Sequence, residues 1–216
     1  MRLRNPPGCF FFALGLGAAL AGAAPAAADS EEDCFSTDTE RRISGCTDLI
    51  DRNALDPGDM SLAYSLRALA FSLKGQFERA IRDYDASIQL DPDSATALNN
   101  RAWAYFKSGA PEKGEEDVAR SLAIEPESPY SLDTRAHIAQ SLGDTESALK
   151  DYQRAINAGG EKIIKLYQCG LQAQGLYSGD VDGFFSRDVR KALESCVANP
   201  KCDPLPADEE CRKVTS

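Results

Sequence analysis

Residues 61–94 read SLAYSLRALAFSLKGQFERAIRDYDASIQLDPDS, and the chain repeats the pattern twice at a spacing of 34 residues, over 95–128 and 129–162. In the first copy Leu62, Tyr64, Ala68, Phe71, Gly75, Phe77, Ala80, Tyr84, Ser87, Ile88, Leu90 and Pro92 mark the pattern. The second keeps Ala102, Tyr105, Gly109, Gly114, Val118, Ser121, Leu122, Ile124 and Pro126. The third keeps Ala136, Ala139, Gly143, Ala148, Tyr152, Ala155 and Ile156. Small and large apolar residues fall where two antiparallel helices would interlock, and neither helix of a pair buries its face alone. Ala68, Ala102 and Ala136 sit at the expected crossing points, as do Ala80, Gly114 and Ala148 in the second helices. Gly75, Gly109 and Gly143 suit the left-handed turn that ends the first helix.

A period of 34 residues with this pattern resembles the tetratricopeptide repeat. The expected fold is all-α, a short solenoid of three helical hairpins spanning 61–162. The resemblance implies a concave groove lined by positions 2, 5, 9 and 12 of each repeat. Here those are Leu62, Ser65, Leu69 and Ser72, then Thr96, Asn99, Trp103 and Phe106, then Tyr130, Asp133, His137 and Gln140. Aromatic anchors beside amides and hydroxyls suit an extended peptide or a short helix. Trp103 and Phe106 either contact that ligand or pack against the C-terminal segment. A lysine–asparagine clamp for a terminal carboxylate is not reproduced.

Local signals place the helix ends. Asp144 before Thr145 and Ser128 before Pro129 are expected caps. Pro92 and Pro126 close their repeats. Gly159-Gly160 replaces the third such proline, so the solenoid is expected to stop or bend there.

Residues 1–28 read differently. Arg2 and Arg4 precede an apolar run from Phe10 to Ala21, and Ala26-Ala27-Ala28 precede Asp29. That is the pattern of a secretory signal peptide, too short for a membrane span. Cys9 lies before the apolar run, where no lipid-bearing terminus could form. The expected location is therefore periplasmic, in an exported bacterial protein. Six of the seven cysteines lie beyond the signal: Cys34, Cys46, Cys169, Cys196, Cys202 and Cys211. An even number in an exported chain points to disulfides. No CxxC pair or Cys/His cluster points to a metal, and His137 is the single histidine. Cys34 pairs with Cys46. Of the three pairings left to the late cysteines, Cys169–Cys196 with Cys202–Cys211 is expected.

Removing Arg2 and Arg4 from the 24 basic residues leaves 22 against 34 acidic ones, a net charge of about −12. Such a surface repels nucleic acid and anionic lipid. Residues 29–60 carry one amphipathic helix over Glu40–Arg52, with Ile43, Cys46, Leu49 and Ile50 on one face. Gly45, Leu49 and Pro57 are in phase with a second repeat helix whose first helix is missing, so the segment is expected to cap the stack.

Residues 163–216 form the last expected unit, a small three-helix module braced by disulfides. Leu166–Val197 reads LYQCGLQAQGLYSGDVDGFFSRDVRKALESCV. It resembles the three-helix peptidoglycan-binding domain through Tyr167-Gln168, Leu171, Gly175, Tyr177, Gly179, Val181-Asp182-Gly183, Phe185 and Ala192-Leu193. Departures fall at Asp180, Ser186, Val189 and Cys196. The resemblance implies Tyr177, Asp182 and Phe185 as glycan-contacting residues. There is no nucleophile elbow, metal-protease helix, phosphate loop or dinucleotide fingerprint. The expected function is therefore a non-catalytic scaffold for another envelope protein, without cofactor, nucleic acid or membrane span. Attachment to peptidoglycan through the C-terminal module is the alternative.

Overall fold

The computed structural model describes residues 26–199, 201–205 and 211. The signal-peptide reading of residues 1–28 falls almost wholly outside them. Nine α-helices and no strand occur among the described residues. They are α1 (Ala26–Cys34), α2 (Thr39–Arg52), α3 (Pro57–Leu73), α4 (Phe77–Leu90), α5 (Ala95–Lys107), α6 (Glu115–Ile124), α7 (Pro129–Ser141), α8 (Thr145–Ala173) and α9 (Arg187–Val197). No described helix is long and apolar enough to cross a membrane.

The three repeats are the hairpins α3–α4, α5–α6 and α7–α8. The residues expected at helix crossings are buried: Ala68, Ala80, Ala102, Ala136 and Ala148 are all fully covered. Turn glycines Gly75, Gly109 and Gly143 take φ of 70°, 84° and 87°, as the left-handed helix ends require. Asp144 accepts from the Ser147 amide at 3.0 Å and caps α8. A 3-10 turn, Pro111–Gly114, leads into α6.

Within each repeat an arginine ties the first helix to the second. Arg67 donates from Nε and Nη2 to Asp83 at 2.7 and 2.9 Å. Arg101 does so to Asp117 at 2.7 and 2.7 Å, and Arg135 to Asp151 at 2.6 and 2.8 Å. The forked geometry satisfies both carboxylate oxygens, which is what makes an ion pair tolerable among buried groups.

Two boundaries differ from expectation. Pro57 is not the close of a preceding repeat. It occupies the first turn of α3, where Asp56 caps the helix by accepting from the Asp59 amide at 3.0 Å, and a proline loses no hydrogen bond at that position. The N-terminal segment is also not a lone helix. The nine-residue α1 packs on α2, and Cys34 is bonded to Cys46 as expected, with Cα atoms 4.5 Å apart.

At Gly160 the backbone leaves helical geometry (φ 61°, ψ −152°), so α8 bends where the third closing proline is absent. The chain then continues as helix. Ile163, Tyr167 and Leu171 of its second part join Ala136, Tyr152 and Ile156 of the third repeat and Val189, Leu193 and Val197 of α9 in one apolar core. The C-terminal region thus shares the last repeat's core.

The late cysteines pair as Cys169–Cys211 and Cys196–Cys202. This corrects the expected Cys169–Cys196 with Cys202–Cys211. The chain turns directly after α9, the Cys202 amide donating to Asn199 O at 2.9 Å, and returns Cys202 to within 5.2 Å of Cys196, Cα to Cα. Cys169 is left to Cys211, at 5.6 Å.

Candidate functional site

The concave side of the stack divides into a filled part and an open part. Over the third repeat it is filled by the chain's own tail. Gln140 is buried and donates from Nε2 to the carbonyls of Cys202 (2.9 Å), Asn199 (3.2 Å) and Cys196 (3.4 Å). Its Oε1 accepts from the Tyr152 hydroxyl at 2.9 Å, so every polar atom of the amide is used. His137 is 3 % exposed. Its Nε2 meets Asp203 Oδ1 at 2.9 Å, and its Nδ1 lies 2.9 Å from Asp133 O and 3.3 Å from Asp133 Oδ2. Burial disfavours charge on the ring, but Asp133 and Asp203 outweigh it and push the pKa up to about 10. His137 is therefore a buried imidazolium holding the tail to α7. Tyr167 donates to Asp133 from the other side, and burial first, then that carboxylate, holds the phenol well above its ordinary range.

Beside the tail lies the open part, a cavity of about 880 Å3. Thr37 and Thr39 of the cap form one end. The first repeat adds Ser72, Leu73, Gly75 and Phe77, the second Asn99, Asn100, Trp103 and Lys107, and the third Tyr130, Asp133 and Thr134. Leu166, Leu205 and Cys211 close the opposite end. Trp103 faces two ways. It is half-buried and lines the cavity, while its ring lies 5.2 Å from Phe106 and 5.2 Å, edge-on, from His137. From His137 the stack runs on to Tyr152 at 5.1 Å and Tyr167 at 5.8 Å. Trp103 is thus packed internally on one side and open to the cavity on the other. Lys107 Nζ lies 5.4 Å from its ring centroid.

Of the expected groove residues, Asn99, Trp103, Tyr130 and Asp133 line the cavity, with Ser72. Leu62, Ser65, Leu69, Thr96 and Phe106 do not. Leu62 and Thr96 are exposed, and Phe106 packs on the core of the second and third repeats. His137 and Gln140 are covered, because the tail takes their hydrogen bonds. The cap threonines and the tail residues Leu205 and Cys211 were missed. No repeat register marks them, since they reach the groove from outside the repeats.

In the C-terminal loop, Gln168 is fully buried and organises the turn. It donates to Asp182 Oδ1 (2.7 Å) and Phe184 O (3.1 Å) and accepts from the Gly183 amide (2.8 Å). The Gln168 amide, with the Phe184 backbone N–H, holds the Asp182 carboxyl below its ordinary pKa. Tyr177 and Phe185 pack against the shared core, and Arg190 lies 5.1 Å from the Phe185 ring. The three expected glycan contacts therefore shape the loop, and Phe184 is what it presents, 75 % exposed.

Comparison with known families now bears on the hairpins. Residues 68–109 match the family described as TPR repeat, and residues 130–158 match Tetratricopeptide repeat. The chain carries tetratricopeptide repeats. No curated protein matches the chain. Repeats of this kind support a scaffold for protein–protein interaction, with protein partners.

Proposed function

We propose that this protein is a non-catalytic adaptor outside the cytoplasm that holds a segment of another envelope protein in the open half of its groove. The observation that carries the reading is the cavity itself. It has walls from three repeats, three aromatic residues on its surface (Phe77, Trp103 and Tyr130), and lining side chains that are mostly neutral. Its lining counts two ionisable side chains besides Tyr130, Lys107 and Asp133, and Asp133 is already engaged by Tyr167 and His137. An uncharged, partly aromatic surface suits a peptide whose side chains alternate between apolar and amide or hydroxyl groups. Three disulfides among the described residues suit an oxidising compartment.

The test is capture from envelope extract by cross-linking, comparing wild type with Trp103→Ala and Lys107→Glu. A specific partner should weaken with both variants while their circular dichroism stays helical. If every captured protein binds all three equally, the groove is not the site.

Wall attachment through residues 166–216 is the second reading, supported by the rigid loop that holds Phe184 in solvent. Sedimentation with purified sacculi separates the two. Retention that Phe184→Ser abolishes favours the wall, and no retention removes it.

A further inference from the structure

Three buried side-chain polar atoms have no hydrogen-bond partner among the described residues: Ser72 Oγ, Tyr84 OH and Asn99 Oδ1. They come from α3, α4 and α5, yet they meet in one place. Ser72 and Asn99 line the wall of the open cavity, with Asn100. Asn99 is 9 % exposed, and its Nδ2 donates to Asn100 Oδ1 at 3.3 Å while its oxygen is unused. Tyr84 is fully buried. Burial pushes its phenol pKa up, and Ser72 and Asn100 pull against it, so both stand beside the hydroxyl without completing a bond. A buried polar atom left unpaired is costly, and three at one wall call for a common cause.

The third repeat shows what is missing. Tyr152 occupies the place of Tyr84 two periods on, and Gln140 the place of Ser72. There the Tyr152 hydroxyl donates to Gln140 Oε1 at 2.9 Å, while Gln140 Nε2 donates to the tail. In the second repeat the same places hold Val118 and Phe106, which need no partner. Serine is too short to do what glutamine does, so the first repeat keeps the buried tyrosine without the amide. What lacks a partner is an O–H that must donate and an amide oxygen that must accept. A terminal carboxamide meets both at once, through its C=O and its NH2. A carboxylate has no donor and an ammonium no acceptor, and neither would meet an opposite charge on these four side chains. A main-chain amide points its N–H and its C=O in opposite directions.

We propose that the first-repeat wall of the cavity is a subsite for a side-chain carboxamide, a glutamine of the bound partner segment, filling the role that Gln140 fills in the third repeat. Its C=O accepts from the Tyr84 hydroxyl and its NH2 donates to Asn99 Oδ1. The three atoms are covered in the free protein, so Ser72 and Asn99, which form the wall, turn aside as the amide enters. The subsite rests on the adaptor reading and names what that groove selects.

The experiment titrates the full chain with the blocked peptide Ala-Ala-Gln-Ala-Ala, read by the emission of Trp103, which lines the cavity. Peptides with Glu, Thr or Ala at the centre serve as comparisons. The glutamine peptide should bind at least about tenfold more tightly than the other three. Ser72→Gln supplies the amide within the chain and should abolish that preference, as should Tyr84→Phe. In the free protein Tyr84→Phe removes an unpaired hydroxyl and should leave the urea midpoint unchanged or higher. Tyr152→Phe strands Gln140 Oε1 and should lower it. Equal binding of the four peptides, or no binding of the glutamine peptide at millimolar concentration, overturns the proposal. So does a loss of stability in Tyr84→Phe equal to that in Tyr152→Phe. An envelope partner captured through Trp103, alongside four equal peptides, would end the carboxamide subsite and leave the adaptor reading standing.

Discussion

His137 Nε2 and Asp203 Oδ1 lie 2.9 Å apart across 66 residues of sequence, joining the tail to the inner face of the third repeat. The pair has a definite pH signature. The folded pKa of His137 is raised from 6.5 to about 10, so its contribution is complete below about 6.5 and is lost as pH rises through about 10. Asp203 works in the other direction. Burial raises its pKa, but His137 and the Leu205 amide pull it to a net value below 3.8. Its contribution is lost only as pH falls through that lowered value. The groups facing the ring are Asp133, Asp203 and the aromatic rings of Trp103, Phe106 and Tyr152. Tail attachment is therefore firmest from about pH 4 to 6.5 and weakens toward pH 10. Trp103, the single tryptophan, reports on it by fluorescence because its ring touches His137. Wild type should lose stability between pH 6 and pH 10, and Asp203→Asn should lose less, the larger share of the dependence staying with Asp133. Matching pH profiles in the two proteins would refute the assignment.

The arginine–aspartate ladder predicts a contrast within one residue's contacts. Arg101 binds Asp117, whose side chain is 6 % exposed, and Asp85, whose side chain is 51 % exposed. Asp117→Ala leaves a largely buried guanidinium with only the solvent-exposed Asp85 as partner and should cost about 3 kcal/mol. Asp85→Ala removes a solvent-screened contact and should cost less than about 1 kcal/mol. Urea unfolding of both variants checks the ratio, and equal losses would show that burial does not set the strength of these pairs.

Much of this architecture is legible in the chain because apolar spacing carries it. Ala68, Ala102 and Ala136 announce the hairpins, Gly75, Gly109 and Gly143 their turns, and Cys34–Cys46 the capped end. The ladder was legible too. An arginine followed sixteen residues later by aspartate recurs at 67/83, 101/117 and 135/151, but a reading confined to apolar residues passes over it. The filling of the groove is different in kind. Gln140 recognises main-chain carbonyls of Cys196, Asn199 and Cys202, groups that every residue carries, so no side-chain pattern in the tail foretells where it docks. The late disulfides follow from the same turn, which is why their pairing was misjudged.

Gln140 should accordingly be worth more than an ordinary polar residue. Replacing it with alanine removes the side-chain donor from three carbonyls, of which Cys196 O and Asn199 O keep backbone partners, and leaves Cys202 O and the buried Tyr152 hydroxyl without their Gln140 bonds. The expected loss is about 2–3 kcal/mol. It should fall on the tail, seen as faster hydrogen exchange in residues 196–205 while α3 and α4 keep their protection. Gln140→Glu retains the size but not the donors and should behave nearly as badly. Uniform loss of protection across the stack would mean that Gln140 supports the solenoid and not the tail.

Gly114 tests how closely the helices approach in the second repeat. Its counterparts Ala80 and Ala148 each carry a methyl group and are fully buried, so the register alone would allow alanine here. The local spacing does not. A Cβ at position 114 would lie 2.9 Å from Ala102 O, 3.1 Å from Ala102 Cα and 3.1 Å from Ile138 Cδ1. Two of those three neighbours are backbone, which yields only if α5 shifts. Gly114→Ala should therefore cost about 1–3 kcal/mol by overpacking. Because α5 carries Trp103, the variant should also shift the tryptophan emission, whereas Ala148→Gly in the next repeat should destabilise without that spectral change. A Gly114→Ala protein as stable as wild type, with the same emission, would mean that the crossing of α5 and α6 is looser than these distances require.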